Sequence, residues 1–175
     1  MQENLIGLYT QSFRKHWSLN AFSDFQGASI TYCEVAQRIR QIHCFFRESG
    51  IKKGDKIAIL GRNSSNWAIS FLAVSGYGGV TVPVLPDFNP DDIVHILHHS
   101  ESLFLFAGDN FLEKLDPEKI SGIKGIVSLS DFSGLYFKTN TDKKLWISCM
   151  TTGYTGISTP ENFELTEYKA DDLSI

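Results

Sequence analysis

A strand–helix–strand pattern between residues 50 and 86 limits the folds open to this chain more than any other feature. Ile57 to Leu60 is a continuous apolar run, typical of a strand that is covered on both faces of a sheet. A helical segment follows, which Asn63 or Ser64 can cap, and Val80 to Val84 is a second buried strand. Two such strands joined by a helix predict a right-handed crossover in a parallel sheet.

The alternation of strands and helices continues on both sides of this unit. Thr31 and Glu34 have the spacing of a capping box that begins a helix, and Gly50 is suited to end it in a left-handed conformation. The other predicted elements are a helix over Asn4–Trp17, a hairpin of Asn20–Phe25 with Ala28–Ile30, a helix over Asn89–His99, a strand over Leu103–Phe106, a weak helix over Asp109–Ile120 and a strand over Ile123–Leu129. We therefore predict a three-layer α/β fold with a mostly parallel sheet, helices on both faces and a short hairpin near the N-terminus. The regular core is expected over residues 30–129, with an irregular acidic tail over 130–175.

Length and charge narrow the class of protein. The chain has 175 residues, which suits one domain or a piece of a larger one, and 42% of them are hydrophobic. Its net charge is -4, so the sequence gives no electrostatic reason to expect nucleic acid or an anionic membrane as a partner. We see neither a signal peptide nor an integral membrane segment, and we expect a cytoplasmic protein.

The three cysteines are too few, and odd in number, for a disulfide framework. Cys33 and Cys44 lie on one predicted helix, about 16 Å apart, which is too far for a bond between them. We expect Cys33, Cys44 and Cys149 to be reduced structural thiols.

Three Gly-rich or Thr-rich segments are possible nucleotide sites. Gly76 to Gly79 precedes a strand, whereas ligands bind beyond the carboxyl ends of strands, so a structural turn is favoured. Gly61 to Ser64 follows a strand and begins a helix, where an anion can bind, but a single glycine is little evidence and a plain N-cap by Asn63 or Ser64 is favoured. Thr151 to Gly156 could surround phosphates, but no lysine follows it closely, and a solvated loop is favoured.

Metal-binding and nucleophilic sites have little support in the sequence. His95 and His99 share a helix face at a spacing that can bind zinc, yet further ligands do not follow. The acidic pair Asp91–Asp92 lies in the first turn of a helix, where the dipole favours negative charge. We find no Gly-x-Ser-x-Gly motif.

Six segments between Ile30 and Phe106 occur in an order and at spacings that resemble the amino-terminal part of the AMP-forming acyl-CoA synthetases. This superfamily of adenylate-forming, or AMP-binding, enzymes also contains luciferases and peptide-synthetase adenylation domains. The matching segments are Ile30–Val35, Gly50–Ile59, Asn63–Trp67, Ala73–Val80, Val82–Val84 and Ile96–Glu101. The Asn-Ser-x-x-Trp form of residues 63–67 is most similar to the fatty-acyl-CoA synthetase branch.

The resemblance implies a reaction for a complete enzyme. Members join a carboxylate to ATP, which gives an acyl-adenylate and pyrophosphate, and then transfer the acyl group to a thiol such as coenzyme A. The implied cofactors are therefore ATP, Mg²⁺ and coenzyme A, and the implied substrate is a fatty acid.

The family's phosphate loop has the form Thr-Ser-Gly-Thr-Thr-Gly-x-Pro-Lys-Gly. Residues 151–156 have only its first letters, and Asp171 to Ile175 is similar to the segment that precedes it. We therefore assign no catalytic, cofactor-binding or metal-binding residue to this chain. We expect an N-terminal fragment of a long-chain fatty-acid–CoA ligase, inactive alone and with no cofactor bound.

Two alternatives remain open. The chain could be a stand-alone flavodoxin-like binding or interaction module, since a fold does not determine a function. It could also be a partner-binding fragment that forms homo-oligomers through a truncated surface, because a cut sheet exposes an unpaired strand edge.

Overall fold

The structure is a computed structural model that describes residues 5–108, 111, 117–120, 122–151 and 159–165. Its α-helices are α1 (Leu5–Lys15), α2 (Tyr32–Glu48), α3 (Ser65–Tyr77), α4 (Pro90–His99) and α5 (Asn140–Thr151). Its strands are β1 (Asn20–Ser23), β2 (Ser29–Thr31), β3 (Lys56–Leu60), β4 (Val80–Val84), β5 (Phe104–Ala107), β6 (Gly125–Ser128) and β7 (Gly134–Phe137). Short 3-10 helices cover Pro117–Ile120 and Pro160–Asn162.

The main sheet has five strands in the order β4-β3-β5-β6-β7. The first four are parallel, whereas β7 runs antiparallel to β6 at one edge. β1 and β2 form a separate antiparallel hairpin. The predicted α/β class, the mostly parallel sheet and the N-terminal hairpin are therefore confirmed.

The helices divide between the two faces of the sheet. α2, α3 and α5 cover one face, where they bury an aromatic core with Phe104 and Phe106 of β5. α4 covers the other face, where Ile93 and Leu97 pack against Leu105. Because every residue of β5 and β6 is buried, these strands show the continuous apolar runs that a sheet covered on both faces requires.

The capping box at the start of α2 forms as its spacing predicts. The Glu34 N–H donates to Thr31 Oγ1 at 3.3 Å, and the Thr31 N–H donates to Glu34 Oε2 at 2.8 Å. The Thr31 N–H and the Thr31 hydroxyl both donate to the Glu34 carboxylate, and these hydrogen bonds hold the pKa of Glu34 below its usual range. At the other end of α2, Gly50 has φ of 74°, the left-handed conformation expected of it.

The segment from Gly76 to Gly79 forms the C-terminal end of α3 and the turn that leads into β4. Gly78 caps the C-terminus of α3 with φ of 95°, and its N–H donates to Val74 O at 3.1 Å. Gly76 lies inside α3, and a Cβ built on it would come 2.6 Å from a methyl carbon of Leu165. The segment lies at the amino end of β4, as the turn interpretation requires.

Residues 134–151, which fall within the expected irregular tail, form regular structure. β7 extends the sheet there and α5 packs on α2. The sequence does contain a pattern that predicts the start of α5, since Thr139 is a residue type favoured at N-caps. Its Oγ1 accepts the Asp142 N–H at 3.0 Å. The division into a core and a tail remains a prediction, and most of the expected helix over Asp109–Ile120 lies outside the described residues.

Within the described ranges, no helix combines the length and the apolar character that crossing a membrane requires.

Candidate functional site

A crevice of about 670 Å³ opens at the carboxyl end of the parallel strands. It lies where the chain reverses its direction along the sheet, since the connection after β3 leads to β4 on one side and β5 lies on the other. Open α/β sheets bind ligands at such a switch point. The described residues that line the crevice are Asp24, Gly61, Arg62, Ser64, Asn66, Pro86, Asp87, Gly108, Phe111, Leu129 and Ser130.

Gly61, which follows β3, leaves space in the crevice lining for the side chain of Leu129, which follows β6. A Cβ built on Gly61 would come 2.7 Å from a methyl carbon of Leu129, so a larger residue here would displace that side chain. Asn66 Nδ2 donates to Leu129 O at 2.8 Å and to Ser130 O at 3.0 Å. The first turn of α3 is therefore tied to the end of β6.

The N-terminus of α3 faces the crevice, but its amides already have acceptors from within the chain. Ser64 Oγ accepts the Trp67 N–H at 3.1 Å, which makes Ser64 the N-cap. Asp24 Oδ1, from the end of the β1–β2 hairpin, accepts the Ser65 N–H at 2.8 Å. Sequence reasoning missed Asp24, because a contact across 41 residues leaves no local pattern.

These contacts decide between the two interpretations of Gly61–Ser64 in favour of the plain cap. The Asp24 carboxylate occupies the place where an anion would accept amide hydrogen bonds. Arg62 is the one cation among the described lining residues, and two carboxylates, those of Asp24 and Asp87, line the same crevice. A highly negative triphosphate does not fit this charge distribution, so we assign no nucleotide phosphate to these residues.

Replacing Asp24 with alanine is expected to lower the free energy of unfolding by about 1 kcal/mol, because it removes the acceptor at the N-terminus of α3. Asp24→Asn keeps an oxygen acceptor and should lose less than Asp24→Ala. Asp87→Ala, at an exposed aspartate of the same crevice, is the matched control and should change stability by less than about 0.5 kcal/mol. Urea denaturation measures all three, and equal losses for Asp24→Ala and Asp87→Ala would contradict the capping role.

The histidine pair shares a helix face but does not form a metal site in the described part of the chain. The rings of His95 and His99 are stacked with their centroids 5.9 Å apart, and both side chains are exposed. Across residues that the structure describes, no three His, Cys, Asp or Glu side chains are grouped as metal ligands. Asp91 and Asp92 lie in the first turn of α4, where Asn89 is the N-cap.

Two sequence segments of interest lie beyond what the structure describes. Thr151 ends α5, and the rest of the Thr151–Gly156 segment falls outside the described residues. The Asp171–Ile175 segment also falls outside them.

Residues 162–165 are held against α1, α2 and α3, an arrangement that the sequence did not reveal. Phe163 is fully buried and stacks on Phe13 of α1, with ring centroids 4.8 Å apart. Arg14 Nε donates to Phe163 O at 3.0 Å, and Arg40 Nη2 donates to Asn162 O at 3.3 Å. The segment is therefore anchored by both its backbone and its side chains.

The comparison with protein families decides the identity of this α/β unit. A model described as AMP-binding enzyme matches residues 10–170. The chain belongs to the AMP-binding enzyme family. The resemblance that the segments between Ile30 and Phe106 carry is therefore confirmed, and the curated relatives of this AMP-binding chain include acyl-CoA ligases as well as a naringenin synthase and bacitracin synthases.

Two of the curated relatives are named for long-chain acyl substrates. A long-chain-fatty-acid–CoA ligase of Thermus thermophilus is 37% identical over 82 residues, which cover 47% of this chain and 15% of that protein. Long chain acyl-CoA synthetase 3 of Arabidopsis thaliana is 33% identical over 104 residues, covering 58% of this chain and 16% of that protein. The aligned part thus spans about a sixth of the length of these relatives.

A solved structure supports the fold over nearly the whole chain. The luciferase-like enzyme of the nonluminescent mealworm Zophobas morio superimposes on 97% of this chain with a TM-score of 0.71. The identity is 18%, and the matched region is 39% of that protein. The AMP-binding chain therefore shares its architecture with part of an adenylate-forming enzyme.

Proposed function

We propose that this chain is the N-terminal part of a fatty-acid–CoA ligase. The observation that carries the proposal is the family match over residues 10–170, on a fold that superimposes on part of the luciferase-like enzyme described above. The complete enzyme would activate a carboxylate with ATP and Mg²⁺ to an acyl-adenylate and then transfer the acyl group to coenzyme A. As part of the same proposal, it would act in the cytoplasm.

In such an enzyme the 175 residues of this chain would serve as scaffold and as one wall of the acyl site. The charge of the crevice supports this role, since Asp24 and Asp87 disfavour a triphosphate there. Large apolar side chains next to the lining residues also support it, because further polypeptide would cover them. Phe25 is 93% exposed, Leu85 62% and Phe88 41%, and each is next in sequence to a residue that lines the crevice.

A fatty acid is the proposed substrate class. The two curated relatives described above are both named for long-chain acyl substrates. Their identities of 37% and 33% are the support for this class over aromatic acids and amino acids, which other adenylate-forming enzymes activate.

The experiment compares the product of the complete gene with the 175-residue chain. The complete product is incubated with ATP, Mg²⁺, coenzyme A and one acid from a panel of long-chain fatty acids, aromatic acids and amino acids. We expect pyrophosphate release and acyl-CoA formation that depend on a fatty acid. Calorimetry on the 175-residue chain with ATP is expected to show no binding.

Distinct outcomes contradict distinct parts of the proposal. A complete product that activates only aromatic or amino acids overturns the substrate class. ATP binding by the 175-residue chain overturns the scaffold role. Homo-oligomers in light scattering across a dilution series would favour instead the alternative that the exposed apolar side chains bind a second copy of the chain.

A further inference from the structure

Two thiols that are far apart in the sequence meet between α2 and α5. The Sγ atoms of Cys44 and Cys149 are 3.0 Å apart, although the residues are separated by 105 positions. Cys149 is 4% exposed, whereas Cys44 is half-buried. Both are free thiols, and the Cys149 S–H donates to the sulfur of Cys44.

Contacts on both sides of the pair hold the two helices in register. Next to Cys44, Phe45 packs edge-on against Trp146, one turn before Cys149, with ring centroids 5.0 Å apart. One turn before Cys44, Gln41 Nε2 donates to Met150 O at 3.0 Å. The two sulfurs are therefore kept adjacent by the packing of α2 on α5 and do not depend on their own weak hydrogen bond.

We propose that Cys44 and Cys149 form an oxidative modification site, at which a hydroperoxide converts the two thiols into a disulfide that joins α2 to α5. The sulfurs need to approach by only about 1 Å to reach the length of an S–S bond. Cys33 cannot take part, because it lies eleven positions before Cys44 on the same helix.

The different surroundings of the two thiols assign their order of reaction. Cys44 is the more accessible, so it meets the oxidant first. Burial raises the pKa of Cys149 to about 12, so Cys149 stays protonated and is not the thiol that attacks the peroxide first.

The reaction with hydrogen peroxide balances in two steps. The Cys44 thiolate attacks one peroxide oxygen, the O–O bond breaks, and the hydroxide that leaves takes up a proton to become water. The Cys149 sulfur then attacks the sulfenic sulfur of Cys44 and forms the S–S bond. The S–O bond breaks, and the departing hydroxide takes the proton of Cys149. Two thiols are oxidised and one peroxide is reduced to two waters.

The first experiment counts thiols in the full 175-residue chain after treatment with hydrogen peroxide or with dithiothreitol. The chain is then denatured, alkylated and analysed by mass spectrometry. We expect three alkyl groups on the reduced chain and one on the oxidised chain, located on Cys33. Three alkyl groups after oxidation, or a crosslink that joins two chains, would overturn the proposal.

Matched variants test the identity of the pair. Cys33→Ser should still lose both remaining thiols on oxidation, whereas Cys44→Ser and Cys149→Ser should keep theirs as thiols or as higher oxides without an intramolecular bond. A disulfide that survives in Cys44→Ser would overturn the assignment.

Phenylarsine oxide gives a readout that needs no variant, because its trivalent arsenic binds two adjacent thiols together. One equivalent should protect Cys44 and Cys149 of the unmodified chain from alkylation and leave Cys33 reactive. Failure to protect them would contradict the proximity of the pair.

The disulfide between Cys44 and Cys149 should also raise the unfolding temperature of the chain by about 10 °C, since it constrains a long loop in the unfolded chain. An unchanged or lowered unfolding temperature would contradict a crosslink between packed helices.

Discussion

Replacing Trp146 with alanine is expected to lower the free energy of unfolding by about 3–5 kcal/mol. Trp146 of α5 is 2% exposed, and its ring lies at the centre of the aromatic core. Its centroid is 5.0 Å from that of Phe45 and 5.8 Å from that of Phe104, so alanine would leave a large cavity between α2, α5 and the sheet. The Trp146 Nε1–H also donates to Phe132 O at 3.0 Å. Urea denaturation followed by circular dichroism measures the loss.

Two controls separate the cavity from the hydrogen bond. Trp146→Phe keeps a ring in the core but removes the donor to Phe132 O, so it should cost about 1–2 kcal/mol. Trp67→Ala removes a tryptophan of α3 that is half-buried and stacked on Phe71, and it should cost less than Trp146→Ala. If the two alanine variants were equally unstable, Trp146 would not be the centre of the core.

Acidification from pH 6.5 to pH 4 is expected to destabilise the fold by about 3 kcal/mol through His43 alone. Burial is the main cause that lowers the pKa of His43 to about 4; the positive charges of Arg40 and Arg47 act in the same direction, and the hydrogen bond to Ala73 O acts against them. In the unfolded chain a histidine takes up its proton near pH 6.5. The unfolded state therefore binds more protons between pH 6.5 and pH 4, so stability falls as the pH falls through this window. Well above pH 6.5, His43 is neutral in both states, so its contribution to the free energy of unfolding no longer changes with pH.

The neutral ring of His43 also holds α2 to α3. Its Nε2–H donates to Ala73 O at 2.7 Å, since the carbonyl can only accept. His43→Gln retains a donor but cannot titrate, so its stability should fall less steeply between pH 6.5 and pH 4. Urea denaturation at several pH values measures the free energy of unfolding of the unmodified chain and of His43→Gln. Subtracting one curve from the other removes the contribution of the carboxylates, which both proteins share. Parallel curves would show that His43 does not titrate in this range.

Several elements could be predicted from the sequence because their signals are local. The capping box of Thr31 and Glu34 involves residues three positions apart, and it forms as predicted. The apolar runs at Ile57–Leu60 and Val80–Val84 correspond to β3 and β4, because strands covered on both faces must be apolar throughout. The order of these segments also carried the family resemblance, which needs no knowledge of contacts.

Other features could not be predicted, because they depend on residues that meet only after folding. β7 is short and half-exposed, so its edge pairing with β6 left little pattern. Asp24 reaches the N-terminus of α3 from the hairpin, and Phe163 enters the core from a polar segment. The contacts of Asp24 with Ser65 and of Phe163 with Phe13 each join residues at least 40 positions apart.

The sequence by itself determined the α/β class, the crossover units and the membership of the AMP-binding family, since periodicity and motif order are properties of the chain. Only the tertiary structure decided the charge of the crevice and the neighbours of the cysteines. The Asp24 carboxylate beside Ser65, and the Cys44 and Cys149 thiols at 3.0 Å, are brought together by helix packing and hairpin placement. Such proximity arises from burial of the shared core, which no local pattern of residues records.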